Sequence, residues 1–269
     1  MEKRIYFGRC LAVALSLMLT AMGGYAQQTD EKFTPYSGQA GKDVVWVPTP
    51  QALVDTMLAM AKVTPADYVI DLGSGDGRLV ITAAKRGATA LGIEYNPDMV
   101  EYARRGAVAE GVSEKAKFEN ADIFESDFSK ATVITLFLLT DLNLRLRPIL
   151  LDMKPGTRIV SNSFRMGEWE PDRSTQIEEN TNWRVAHLWI VPAKIDGIWK
   201  MAGGQIKFDQ QFQEITGILT MGNVDTEITG KLNGDEVSFS AGGTDYTGKV
   251  SGNTIAGTRT GGNPWSASR

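Results

Sequence analysis

At 269 residues and a formal net charge of −4, the chain suffices for one large domain or two modest ones, and it has no bulk positive charge to attract nucleic acid. Apolar content of 42% and charged content of 22% are ordinary for a globular protein and exclude a disordered class. The one cysteine, Cys10, falls in the leader described next, so the rest of the chain has neither disulfide nor cysteine nucleophile.

Residues 1–26 read as an export signal. Lys3, Arg4 and Arg9 form a basic start, an apolar run follows from Cys10 to Met22, and Gly24-Tyr25-Ala26 makes a small-residue exit. Thirteen apolar residues are short for a span, which needs about 20. The expected location is therefore outside the cytoplasm, in the periplasm, with an uncleaved anchor as the alternative. Residues 27–43 are polar with Gly and Pro and read as a loose lead-in.

From residue 44 to 195 apolar strands alternate with amphipathic helices. Helices are expected over Gln51–Ala61, with Pro50 in the first turn, and over Gly77–Lys85, Met99–Ala109 and Leu142–Met153. Strands are expected over Asp67–Leu72, Ala88–Glu94, Ala116–Phe118, Ala131–Leu139 and Arg158–Phe164. Two more, near Thr175–Glu178 and over Trp183–Val191, have no helix between them and suit an antiparallel closing pair. The pattern predicts an α/β, doubly wound, Rossmann-like sheet of seven strands. Residues 196–269 carry no helical period. Short alternating segments broken by turns such as Asn233-Gly234 and Gly242-Gly243 predict a second, all-β domain. It is an up-and-down meander of about eight strands, closed or nearly so, with Trp199 and Trp265 expected to meet at the closure.

The chemistry concentrates in Asp71-Leu72-Gly73-Ser74-Gly75-Asp76-Gly77-Arg78, where three glycines follow an apolar strand and open a helix. A dinucleotide fingerprint would read G-x-G-x-x-G and seat a pyrophosphate on the helix N-terminus. This G-x-G-x-G has a carboxylate, Asp71, two residues before the first glycine, which repels phosphate and suits a cationic ligand. S-adenosylmethionine, with an ammonium, a sulfonium and no phosphate, meets that requirement. Glu94 ends the second strand, where an acid accepts hydrogen bonds from ribose hydroxyls. Asp122 and Ile123 follow the third strand, placed to read the edge and face of an adenine, though Asp122 equally fits a turn acid.

These motifs resemble the class I methyltransferases. Within them, Val45–Asp172 is most similar to the membrane-tethered mitochondrial lysine methyltransferases and their bacterial relatives. The similarity is carried by Val47-Pro48-Thr49, Asp71–Arg78, Gly92-Ile93-Glu94-Tyr95-Asn96-Pro97, Phe164 and Trp169-Glu170-Pro171. It implies a cofactor site of Pro48, Thr49, Asp71, Gly73, Ser74, Gly75, Gly77, Glu94, Asp122 and Ile123. It also implies that Pro48 and Thr49 fold over S-adenosylmethionine, and that the acceptor is a lysine amine. The fourth strand ends Phe137-Leu138-Leu139-Thr140-Asp141, without the Asn-Pro-Pro-Tyr that grips a base amine, so DNA adenine methylation is not expected, and the acidic balance argues against a nucleic-acid partner. The acceptor is expected near Leu138, Thr140 and Asp141. Thr140 and Asp141 are the candidates for catalysis, although Asp141 equally suits a helix cap.

His187, in an apolar strand, reads as structural, and no His, Cys or carboxylate cluster has metal-ligand spacing. Two readings stand: a methyltransferase acting on a protein or small-molecule amine, and a non-catalytic exported binding protein on the same fold.

Overall fold

The computed structural model describes residues 1, 33–179 and 181–269. The export signal expected over residues 1–26 lies outside the described residues, Met1 apart. No helix among the described residues is long and apolar enough to cross a membrane.

The first layer system is a seven-stranded sheet. Its elements in chain order are α1 (Gln51–Met60), β1 (Tyr68–Leu72), α2 (Arg78–Lys85), β2 (Thr89–Glu94), α3 (Pro97–Ala109), β3 (Ala116–Asn120), β4 (Val133–Leu136), α4 (Thr140–Leu151), β5 (Arg158–Asn162), β6 (Arg173–Gln176) and β7 (Val185–Ile190). The strand order is β3-β2-β1-β4-β5-β7-β6. The first five strands in that order are parallel, with helices crossing between β1 and β2, β2 and β3, and β4 and β5 and a longer loop from β3 to β4, while β7 runs antiparallel to both β5 and β6. The order reverses between β1 and β4, which opens a crevice at their carboxyl ends, where open α/β sheets bind ligands.

Each sheet face is covered. Val69, Val133 and Val160 pack under α1, α2 and α3, and Ile70, Leu72, Ile134 and Ile159 pack under α4. Strand β4 is shorter than the apolar run from Ala131 to Leu139, because Phe137 and Leu138 leave the ladder and turn to the crevice. Asn96 caps α3 through Oδ1, which accepts from the amides of Asp98 and Met99, with Pro97 in the first helical position.

The second system is a closed antiparallel barrel. Its strands are β8 (Gly197–Met201), β9 (Gly204–Gln211), β10 (Glu214–Met221), β11 (Val224–Asn233), β12 (Glu236–Ala241), β13 (Thr244–Ser251), β14 (Thr254–Arg259) and β15 (Asn263–Ser268). Inward residues alternate along every strand and fill the interior with Trp199, Ile206, Phe208, Phe239, Tyr246 and Trp265, so the barrel encloses a packed core. The tryptophans do not meet as expected. β15 pairs β8 through Ala267–Met201 and Ser268–Lys200, a register that sets Trp199 opposite Arg269, several residues from Trp265. Arg269 lies 4.6 Å over the Trp199 ring, whereas Trp265 packs edge-on to Phe239 and Tyr246.

Barrel and sheet join through the β9–β10 turn. Phe212 stacks on Trp169 at 6.0 Å and 15°, and the buried Gln213 donates to the Glu170 carbonyl at 2.9 Å. The β11–β12 turn adds a second contact, where the Ala193 amide donates to the Gly234 carbonyl. Residues 34–269 form one compact unit.

Candidate cofactor and acceptor site

The crevice is floored by the β1–α2 loop. Gly73, Gly75 and Gly77 hold φ of 78°, 52° and 80°, a left-handed path that only glycine follows without strain. Their reasons differ. A Cβ at Gly77 would stand 2.6 Å from the Phe118 ring and 2.8 Å from Ala103 Cβ, so this glycine lets α2 pack on β3 and α3. A Cβ at Gly75 would strike Nε1 of Trp46, so this glycine admits an indole from the segment before α1.

The described part of the lead-in expected over residues 27–43, residues 33–43, is tied down together with the residues that follow it. Among its described residues, Gly38 donates to the Trp46 carbonyl and Trp46 donates back to the Gln39 carbonyl, closing a tight loop. Gln39 is buried, with its amide against Met99 Sδ, and Lys42 pairs with Asp122 while lying 4.7 Å over the Tyr95 ring. At the other end Arg78 grips the Asp76 carboxylate and donates to the Thr49 carbonyl at 2.7 Å, and Asn162 donates to Thr49 Oγ1 at 3.2 Å. Residues 39–49 form a strap across the crevice, pinned at the glycine loop and at the end of β3.

The structure gathers most of the expected site. Pro48, Thr49, Asp71, Gly73, Ser74, Glu94, Asp122 and Ile123 line one cleft of about 110 Å³. Gly75 and Gly77 lie outside its lining and shape the loop from behind. Thr140 and Asp141 are also outside it, exposed in the first turn of α4. Leu139 takes the N-cap position, so Asp141 neither reaches the cleft nor caps the helix; it faces the helix dipole instead. At the end of β4 and the start of α4 the lining is Phe137, Leu138 and Leu142. His187 lies elsewhere, with Nδ1 2.7 Å from Ser174 Oγ, and burial pushes its pKa down.

Asp71 is buried at the end of β1 and accepts from Thr135 Oγ1 at 2.6 Å. Burial raises its pKa to about 7, against the lowering effect of that hydrogen bond. Glu94 accepts from the Gly75 amide at 2.9 Å and from the Asn96 amide at 3.0 Å, which fixes its carboxylate at the cleft wall. Asp122 accepts from the Phe124 amide at 2.9 Å, and the Lys42 ammonium beside it holds its carboxyl below the usual carboxylate range. It is thus a turn acid and an ion-pair partner at once. The sequence offered no signal for Lys42 or Trp46 beyond their nearness to Val47-Pro48-Thr49.

A seven-stranded sheet with β7 reversed, a triple-glycine loop and acids ending β1 and β2 define a class I S-adenosylmethionine-dependent methyltransferase. The family model for the ANTKMT methyltransferase domain matches residues 71–173. The protein-lysine N-methyltransferase of Saccharolobus islandicus is 40% identical over 151 residues, covering 55% of this chain and 94% of that protein. The adenine nucleotide translocase lysine N-methyltransferase of Mus musculus is 28% identical over 166 residues, 61% of this chain and 68% of that one. A crystal structure of an RNA methyltransferase from Salinibacter ruber with S-adenosyl-L-homocysteine is 46% identical, with a TM-score of 0.53 over 55% of this chain and 96% of that chain. The chain belongs to the methyltransferase family of these relatives, and its cofactor is S-adenosylmethionine.

The residues present fit that cofactor. Ser74 Oγ is buried at the cleft and has no hydrogen-bond partner among the described residues. Such a group normally finds one, and here a ligand would supply it. A cation beside Asp71 would stabilise its ionised form. Among the described residues no cluster of three metal-ligating side chains forms.

Proposed function

We propose that this methyltransferase acts on the side-chain amine of a protein lysine, outside the cytoplasm. The observation that carries the acceptor reading is the chemical split of the cleft. Its carboxylates, Asp43, Asp71, Asp76, Glu94 and Asp122, belong to the strap, the glycine loop and the ends of β1, β2 and β3, whereas the end of β4 and the start of α4 contribute only Phe137, Leu138 and Leu142. An acceptor on that apolar side finds no general base. It must attack with a lone pair it already has, as an amine does once desolvation has lowered its pKa. The naming of two relatives as lysine N-methyltransferases supports the same class.

When bound, S-adenosylmethionine supplies an activated methyl group: the amine nitrogen bonds the methyl carbon, the carbon–sulfur pair stays on sulfur, and the surplus nitrogen proton leaves to solvent. The chain's own residues bind and orient. Glu94 would accept from the ribose hydroxyls, Ile123 would line the adenine face, and Asp71 would face the ammonium with Ser74 beside it. The strap excludes water by laying Trp46 and Pro48 across the cleft. Positioning of this kind supplies most of the acceleration in a displacement at an activated carbon. The export reading is supported by the composition of residues 1–26.

The test is methyl transfer from labelled S-adenosylmethionine to proteins of a membrane and periplasmic fraction, with the labelled residue identified by mass spectrometry. Label on lysine supports the reading. Label on RNA, the acceptor named for the Salinibacter protein, or on no macromolecule while S-adenosylhomocysteine binds, defeats it.

A further inference from the structure

The acceptor half of the cleft continues outward into a ring cluster. Phe137, which lines the cleft, stands 6.1 Å from Phe164 and 5.4 Å from Trp183, and the last two are 5.7 Å apart. The three rings come from different segments, after β4, after β5 and before β7. All three are half-exposed. Half-exposed rings gathered from three chain segments next to a cleft would be wasteful as core.

The backbone that carries Phe164 is held from below. Ser163 has a left-handed φ of 62°, a conformation costly for serine, so something must over-determine it. Asn143 on α4 is fully buried, and its Nδ2 donates to the carbonyls of Phe164 at 3.2 Å and Arg165 at 3.4 Å. Its Oδ1 has no partner among the described residues. A buried amide kept half-satisfied on a helix fixes where the Phe164 ring stands.

We infer that Phe137, Phe164 and Trp183 form the wall of the acceptor channel, that they select a neutral amine on an unbranched methylene stem, and that Asn143 is the positioning residue of that wall. The inference rests on the lysine reading and adds its specificity determinants. Ring centroids within about 6 Å of each other leave no room between them for an ammonium, so the cluster is not a cage for a cation. It offers apolar ring surface, which favours the methylenes of the stem and excludes water from the nitrogen. A charged ammonium would lose its hydration there without a carboxylate partner. The wall therefore discriminates by protonation state.

The experiment uses the full chain labelled with 5-fluorotryptophan, saturated with S-adenosylhomocysteine, and titrated with n-butylamine while fluorine NMR follows the Trp183 resonance, assigned with Trp183→Phe. Butylamine is expected to shift that resonance saturably. Its affinity should rise roughly tenfold for each unit by which pH is raised, up to the amine's pKa of about 10.4 for a lysine-like group. Phe164→Leu, which keeps an apolar side chain, is expected to weaken butylamine at least fivefold without altering S-adenosylhomocysteine affinity, and Asn143→Ala to do the same while moving the unliganded Trp183 signal. Failure of S-adenosylhomocysteine to bind would strike the methyltransferase reading itself. With that ligand bound, a silent Trp183, pH-independent affinity, or a shift produced by uridine and not by butylamine each overturns the channel.

Discussion

The two glycines of the β1–α2 loop that look alike in sequence carry opposite expectations. Gly77→Ala places a methyl group in the left-handed region, at about 1–2 kcal/mol for the backbone. It also drives that methyl against Phe118 and Ala103, both buried and unable to yield, which adds about 1–3 kcal/mol of overpacking. The sum, about 2–5 kcal/mol, lowers the melting temperature by roughly 4–20 °C at the 2–4 °C per kcal/mol typical of chains near this size. Gly75→Ala carries the same backbone cost, but its obstacle is the half-exposed Trp46, which can swing away with the strap. That variant is expected to lose only about 1–2 kcal/mol of stability, from the backbone alone. Its main loss is in S-adenosylhomocysteine affinity, because the strap no longer closes. Thermal unfolding monitored by circular dichroism, with calorimetric titration of S-adenosylhomocysteine, separates the two. A Gly77→Ala protein melting within about 2 °C of the parent, or one hurt less than Gly75→Ala, would refute the assignment of these glycines.

Three further outcomes are expected. Asp71 has a folded pKa raised to about 7, so the native state binds more protons than the unfolded one between pH 4 and 7, and unliganded stability falls as pH rises through that window. Asp71→Asn should flatten the urea-midpoint profile between pH 5 and 8 and abolish S-adenosylmethionine binding; a profile that keeps its slope contradicts the burial argument. Lys42→Met should speed cofactor association and dissociation in stopped-flow traces with little change in melting temperature, since an exposed ion pair holds that end of the strap; unchanged rates would mean that the strap does not open there. Phe212→Ala removes the ring stacked between Trp169 and Arg147 and should split one calorimetric transition into two as barrel and sheet melt separately; a single transition would show that the β11–β12 contact suffices.

The sheet was readable because its signals are local: apolar strands, turns and helix caps sit next to each other in sequence. The glycine loop was equally plain, since a carboxylate two residues before Gly73 distinguishes a cationic ligand from a phosphate. Eight of the ten expected cofactor residues line the cleft, Gly75 and Gly77 being the other two. The strap was legible only at Pro48 and Thr49, because the burial of its earlier residues depends on tertiary contacts. Gln39 is polar and buried, and Trp46 finds its place only through a side chain that Gly75 lacks. Thr140 and Asp141 stand exposed in the first turn of α4, outside the cleft lining, because proximity to the end of β4 does not say which way a helix start points. The run from Ala131 to Leu139 looks like one strand, although part of it is cleft wall. The tryptophan meeting failed on register, which composition does not encode: a few residues along a seam separate neighbours from strangers.

Seven of the barrel's eight strand pairings join consecutive strands across short turns, so each hairpin can form as soon as its second strand has been synthesised. The eighth is different. Met201 waits for Ala267, and until β15 arrives both β8 and β14 present unpaired edges of the kind that recruits other chains. A nascent chain would thus spend its most aggregation-prone interval just before the six-residue strand β15 docks.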